Sequence, residues 1–405
     1  MPREKKTFTP AEWQQINQAL TPEAEQRLGL PAARADSVVI GTFNIRSLGR
    51  ATNRTSQARQ FLAHICQRFD LVAIQEIQDD LSGIQDLHER LSAATGESYG
   101  MVISDVTGVY PGAGSTGERL AFLFNWRRIE RTELASDITI DRSAVVSRLF
   151  NDRAAFADRF DAHALKLEAW EQAGKKGGKP KLTLPAFVTF IRQPHCASFR
   201  IKATGEGRPI ELLAVNAHLL YGTNRDERRW EFEALIEWLY TRAKQADRLY
   251  HKNLLLLGDC NVEFKRAGTK REEIDAQLKR INRERLRSRR AAKANFPLLD
   301  PHPSGGLLRT NARQNQTYDQ IGIFAHDQRL PDARANRRAG ELGLDGYDYG
   351  VFRFTDLFAE ALRNKPVGTP LEQMRAADRK WIIDRTKWDV SDHMPAWIRL
   401  PVPGA

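Results

Sequence analysis

One recurrence constrains this chain more than any other feature. Short apolar runs each meet a chemically capable polar residue at one end. Val38-Val39-Ile40-Gly41-Thr42-Phe43 delivers Asn44, and Phe69-Asp70-Leu71-Val72-Ala73-Ile74 delivers Gln75 and Glu76. The run at 210–217 ends in Asn216-Ala217-His218, and Asn253-Leu254-Leu255-Leu256-Leu257 leads into Gly258-Asp259-Cys260-Asn261. Other runs are approached from their polar side: Glu118-Arg119 before Leu120–Phe124, Tyr318-Asp319 before Ile321–Phe324, and Ser391-Asp392-His393 before Ala396–Leu400. Runs of this length with polar ends read as buried strands. Strand ends gathered at one edge of two packed sheets make a cleft.

Helical patterns separate the runs, at 54–67, 80–93 and about 224–245, and further strands are expected at 186–191 and 197–203. Residues 7–30 read as a helical N-terminal appendage, because Thr9 and Thr21 are each followed by proline, a residue suited to a first helical turn. Residues 141–185 are Ala-rich and charged, with apolar Val146, Leu149, Phe150, Phe156 and Phe160, and are expected to be helical. They end in a basic loop that carries Lys175, Lys176 and Lys179. The expected organisation is an appendage at 1–36 and one catalytic domain at 37–400, with insertions at about 141–185, 262–305 and 326–387.

The chain has 62 Lys and Arg against 51 Asp and Glu, a formal charge of +11. Residues 265–293 alone hold twelve basic against four acidic residues, a net of +8, on a thin apolar stripe of Ile274, Leu278 and Ile281. Such a balance favours polyanionic partners: nucleic acid or an anionic membrane. Three scattered cysteines, Cys66, Cys196 and Cys260, exclude a disulfide framework and a zinc-ligand pattern. No signal-peptide core and no apolar run near 20 residues is present, so the expected setting is soluble and cytoplasmic.

The polar ends carry a consistent chemistry. Glu76 and Asp392 are candidate metal ligands: carboxylates brought close resist ionising together unless a cation neutralises them. Oxygen donors without a Cys cluster suit Mg²⁺ or Mn²⁺. His218 and His393 are candidate acid–base or phosphate-contact groups, each needing a partner to fix its tautomer, and Glu118 and Asp319 adjoin strands where such partners would stand. Asp259 and Asn261 lie two apart after a strand and so point to one side. One of them would handle water while the other holds a phosphate oxygen, and Asn44 would do similar positioning work. Together these groups suit hydrolysis of a phosphate ester.

The set Phe43-Asn44-Ile45, Gln75-Glu76, Glu118-Arg119, Asn216-Ala217-His218-Leu219, Gly258-Asp259-Cys260-Asn261, Tyr318-Asp319-Gln320-Ile321 and Ser391-Asp392-His393 resembles the endonuclease/exonuclease/phosphatase superfamily, with the deoxyribonuclease I fold. That resemblance implies an α+β fold: a four-layer α/β/β/α sandwich of two mostly antiparallel sheets flanked by helices. It implies Glu76 as the principal Mg²⁺ ligand, with Asp392 and Asn44 near the metal. Asp259 and Asn261 would bind water, phosphate or a second metal. His218 and His393 would flank the scissile phosphate, oriented by Glu118 and Asp319. Arg192-Gln193-Pro194 is similar to a segment whose Arg contacts a phosphate. The expectation is a Mg²⁺-dependent DNA endonuclease acting on double-stranded DNA. Lys175, Lys176, Lys179, Arg283, Arg287 and Arg290 are the candidate grip on its backbone. The alternatives are a phospholipid or inositol-phosphate hydrolase of the same fold, and a non-catalytic binding module.

Overall fold

The computed structural model describes residues 7–108, 117–222, 224–245, 251–262, 293–340 and 348–404. The apolar runs form strands that pair into two sheets. The strands are β1 (Ser37–Leu48), β2 (Leu71–Ile77), β3 (Tyr99–Ile103), β4 (Arg119–Asn125), β5 (Ile129–Asp137), β6 (His195–Ile201), β7 (Ile210–His218), β8 (Leu254–Asp259), β9 (Lys293–Asn295), β10 (Asp319–Ala325), β11 (Tyr349–Val351) and β12 (Ala396–Pro401). The first sheet runs β11-β12-β1-β2-β4-β3 and the second β5-β6-β7-β8-β10-β9. Each has one parallel pair, β1 with β2 and β7 with β8, among antiparallel neighbours.

Period-two alternation sorts the side chains into layers. On β8, Leu255 and Leu257 join the core that also holds Phe43, Ile74 and Phe122 of the first sheet. Leu254 and Leu256 face the other way, onto a second core with Phe232, Leu235 and Leu239. Those three belong to α7 (Arg225–Lys244), which therefore covers the outer face of the second sheet. The first sheet is covered by α3 (Ser56–Cys66), α4 (Ser82–Thr95) and α8 (Phe354–Arg363), whose Phe61, Leu87 and Phe358 are buried in the first core. The result is the expected four-layer sandwich. The insertion at 141–185 is helical as expected, forming α5 (Arg142–Asn151) and α6 (Arg153–Gln172).

The N-terminal helices are α1 (Pro10–Ala19) and α2 (Pro22–Arg27), capped by Thr9 and Thr21. They are less separate than an appendage. Phe8, Trp13 and Ile16 are buried in the first core, and the Phe8 N–H donates to Asp389 at the end of α9 (Ala376–Asp389).

The strand expected at 186–191 does not form. The Ile191 N–H instead donates to the Glu231 side chain, which takes that segment out of any ladder. The helix expected at 265–293, with Arg283, Arg287 and Arg290, lies outside the described residues apart from Lys293 at the start of β9.

Candidate active site

Register places three polar residues in one row across the second sheet. His218 of β7 pairs with Asp259 of β8, and Asp319 of β10 pairs with the same Asp259. The first sheet brings Asn44 from β1 and Glu76 from β2 to face them. Asn44 Nδ2 donates to both Asp259 Oδ2 and Glu76 Oε1, at 3.1 Å each. Gly258 makes this approach possible. Its φ is 146°, and a Cβ there would lie 1.9 Å from the Ala217 carbonyl oxygen. Any side chain would therefore push β8 off β7 and carry Asp259 away from His218.

Both imidazoles converge on one oxygen. Asp259 Oδ2 stands 3.7 Å from His218 Nε2 and 3.5 Å from His393 Nε2. Each ring is fixed from behind. His393 Nδ1–H donates to Asp319 Oδ2 at 2.9 Å, and His218 Nδ1 stands 2.8 Å from Glu118 Oε2. Burial raises the Asp259 pKa, and the neighbouring Asp319 carboxylate adds to this against the opposing pull of the two histidines. Burial alone would lower the His393 pKa. The Asp319 and Asp259 carboxylates outweigh it and hold the ring well above its ordinary value.

Glu118 also takes Arg192, whose Nε is 2.8 Å from Oε2 and whose guanidinium donates to Oε1 at 3.1 Å. Burial alone would raise the Glu118 pKa, but His218 and Arg192 hold it at about 2. A depressed carboxylate stabilises the fold above its unfolded pKa, near 4.5, and loses that contribution as pH falls toward about 2. The contribution is at most about 3 kcal/mol. Urea unfolding should therefore find Glu118→Gln less stable than the parent at pH 7, with the gap closing toward pH 3. A gap independent of pH would show that Glu118 is not held ionised by these partners.

Two site residues hold left-handed backbone: Glu76 at φ 62° and Asn261 at φ 50°. Non-glycine residues there cost of order 1–3 kcal/mol and persist only when their surroundings fix them. The Ser47 N–H fixes Glu76 through Oε2 at 2.9 Å. Asn261 is held three ways: its N–H donates to Asp259 Oδ1 (2.9 Å), its Nδ2 to the Leu219 carbonyl (3.0 Å), and its carbonyl accepts from Arg228 (2.7 Å).

The donor set fits a hard divalent cation. Asn44 Oδ1 is buried without a hydrogen-bond partner, on the side chain whose Nδ2 meets the Glu76 and Asp259 carboxylates. Cys260, a soft donor next in the chain to Asp259, is kept a thiol by burial, which raises its pKa well above the ordinary value. Asp259, Asp319 and His393 also bring one ligand-capable atom each within 4.8 Å of one another. There the His393–Asp319 hydrogen bond already joins two of the three. Asp392, expected near the metal, is ion-paired through Oδ2 to Arg46, which stacks on Trp388 at 5.0 Å, while its Oδ1 is buried without a hydrogen-bond partner.

Three buried residues were not assigned a role from sequence. Asn216 joins the two sheets: its Nδ2 donates to the Ile74 (3.0 Å) and Ala121 (2.9 Å) carbonyls, and its Oδ1 accepts from Gln75 (2.7 Å). Ser391 Oγ donates to the Asn44 carbonyl (2.6 Å) and accepts from the N–H groups of Arg46 and His393 (3.1 Å each). Glu231 accepts from the N–H groups of Ile191 and Leu220, and burial pushes its pKa up to about 7. The adjacency of Asn216 and Ser391 to site histidines was a usable signal. Glu231 lies mid-helix and had none.

Lys175, Lys176 and Lys179 are exposed at the end of α6, with Lys175 and Lys179 each 5.9 Å from the Trp170 ring. A basic cleft of about 400 Å³ lies between α9 and the loop at 311–316, lined by Arg313, Asn315, Arg379 and Lys380. That loop bridges His393 through Asn311. No helix of the described residues is long and apolar enough to cross a membrane.

A family model described as the Endonuclease/Exonuclease/phosphatase family matches residues 41–321. A 75-residue stretch is 32% identical to Deoxyribonuclease-1 of Oryctolagus cuniculus, spanning 18% of this chain and 27% of that protein. Similar solved structures include an endonuclease/exonuclease/phosphatase family protein from Bacteroides thetaiotaomicron, 14% identical over 91% of this chain and 98% of that one, TM-score 0.43. A mannosyl-6-phosphatase from Bacteroides thetaiotaomicron VPI-5482 is 13% identical over 89% and 98%, TM-score 0.43. Truncated TDP2 of Caenorhabditis elegans is 13% identical over 90% and 97%, TM-score 0.41. The family match runs from β1 into β10 and takes in Asn44, Glu76, Glu118, His218, Asp259 and Asp319, so the chain belongs to the endonuclease/exonuclease/phosphatase family, hydrolases of phosphoester bonds.

Proposed function

We propose that this chain is a metal-dependent nuclease that hydrolyses phosphodiester bonds in DNA, with Mg²⁺ as its metal. The observation that carries the chemistry is the convergence of two carboxylate-backed imidazoles on Asp259 Oδ2. Buried Asp259, its pKa raised, is suited to take a proton from the attacking water. The water oxygen forms the new P–O bond, the ester P–O bond breaks with its electron pair on the leaving oxygen, and that alkoxide takes up a proton from solvent to leave as the alcohol. His393, its pKa raised by the Asp319, Asp259 and Asp392 carboxylates, is suited to donate to the phosphoryl group as negative charge develops. His218 presents Nε2 from its fixed position on Glu118, and Arg192 offers its guanidinium to a phosphate oxygen. Asn44 and Glu76 would hold a divalent cation, which would supply Lewis-acid stabilisation of the phosphoryl oxygens.

The nucleic-acid part of the reading is supported by charge. The chain carries +11, and the cleft of Arg313, Arg379 and Lys380 lies beside the loop that bridges His393. Polyphosphate strands are drawn to such surfaces. Supercoiled plasmid incubated with the protein and Mg²⁺ should be nicked or linearised. The product should vanish with EDTA and in His218→Ala and His393→Ala. A folded protein that leaves plasmid intact yet releases phosphate from inositol phosphates or phospholipids would replace this reading with the phosphatase one.

A further inference from the structure

A cavity of about 800 Å³ opens beside Arg192, and its lining is largely apolar. Phe156 and Phe160 of α6 form part of it, with Phe187 and Phe190 from the loop before β6 and Trp230 from α7. Phe187 and Phe190 pack edge to face with centroids 5.3 Å apart. Phe160 keeps 46% of its surface exposed. The volume lies within the range of small-molecule pockets, about 300–1,000 Å³.

The cavity shares its walls with the catalytic groups. Ile191 and Gln193, on either side of Arg192, both line it, as does Leu220, next in the chain to Leu219. Arg192 Nη1 donates to the Leu219 carbonyl at 3.3 Å, and Glu231 gathers the N–H groups of Ile191 and Leu220. Thr107, also in the lining, bridges Glu118. A phosphate on Arg192 therefore has this cavity as its neighbour.

The lining's chemistry selects against a second phosphate. Among the described residues it contains Asp105, Asp137, Glu227 and Glu231 and neither lysine nor arginine. These carboxylates have partners of their own: Arg119 for Asp105, His195 for Asp137, and backbone N–H groups for the two glutamates. Thr139, Thr189 and Gln193 add neutral hydrogen-bonding groups among the rings. An aromatic pocket whose carboxylates already have partners, beside the arginine proposed to hold a phosphate, suits an uncharged planar group attached to that phosphate.

We propose that this cavity receives one nucleobase, unstacked from its strand, next to the phosphate that is cut. The inference rests on the nuclease reading and adds to it a preference for single-stranded or locally opened DNA, because a base inside a duplex stack is not free to enter.

The test is an abasic scan. Short single-stranded DNAs, each lacking one base, are titrated against the intact protein in EDTA and followed by fluorescence anisotropy. One position should weaken binding about 10-fold when its base is removed, a value within the range for base–aromatic stacking. Phe160→Ala should weaken the parent strand and erase the difference at that position. Binding indifferent to base removal everywhere overturns the proposal. So does a Phe160→Ala variant that weakens parent and abasic strands equally, or an octyl chain that replaces the base without loss. Adding Mg²⁺ to the same samples separates the two readings. Position-dependent binding without cleavage sinks the nuclease reading alone, and cleavage with no position dependence sinks only the base pocket.

Discussion

Asp259→Asn is expected to lower phosphodiester hydrolysis by roughly 10²–10⁴-fold, the usual weight of a positioned acid–base group. The substitution keeps the shape of the side chain and removes its charge and its capacity to take a proton. It also withdraws one of the three carboxylates, Asp319, Asp259 and Asp392, that hold His393 above its ordinary pKa. Two measurements check the prediction. Rates with saturating metal should show the loss in kcat. An NMR titration of the metal-free variant should show the His393 ring losing its proton at lower pH than in the parent. A variant with near-parental kcat would remove Asp259 from the chemistry, and an unmoved His393 titration would detach the two residues from each other.

Asn216→Leu is the second substitution with a large expected effect, and it acts on stability. The amide is fully buried and meets three partners, two carbonyls and the Gln75 amide, all contributed by the first sheet. Removing it takes a buried donor from each of the Ile74 and Ala121 carbonyls and leaves Gln75 Nε2 with Thr42 Oγ1 alone. Each buried group left short of a partner costs about 1–3 kcal/mol. The sum expected is about 3–5 kcal/mol, at the upper end for a single substitution. Equilibrium denaturation should show a lower midpoint. A loss below about 1 kcal/mol would mean that the sheets are aligned by packing alone.

What the sequence made legible divides along the sheets. Among the described residues, all eight interior strands stood out as apolar runs, whereas the four edge strands, β3, β5, β9 and β11, did not. An interior strand is buried on both faces and reads as continuous apolar chain. An edge strand need not be. In β5 only Ile129 is buried among Glu, Arg and Thr, and β9 and β11 are three residues each. The amphipathic helix α8, with Phe354, Leu357 and Phe358 buried, was submerged in a long mixed segment.

The candidate site was legible because its residues lie at strand ends, where a local pattern marks them. The structure brings Asn44, Glu76, Glu118, His218, Asp259, Asp319 and His393 together around one carboxylate. Contacts made across the fold left no such mark. The pairing of Arg46 with Asp392 joins residues more than 300 positions apart, and Glu231 reaches the Arg192 loop from the middle of a helix. The wall that α6 builds beside Arg192 was equally silent, because a helical insertion does not announce what it will lean on.

The seam between the sheets makes this site a gauge of their alignment. Asn44 and Glu76 ride on one sheet, and His218, Asp259 and Asp319 on the other. A slip by one strand residue, about 3.3 Å, exceeds the 3.1 Å that separates Asn44 from Asp259. Such a slipped molecule would keep every ladder and every helix. It would pass by circular dichroism as intact and do no chemistry, so for this fold a spectrum certifies the sheets one at a time and only turnover certifies them together.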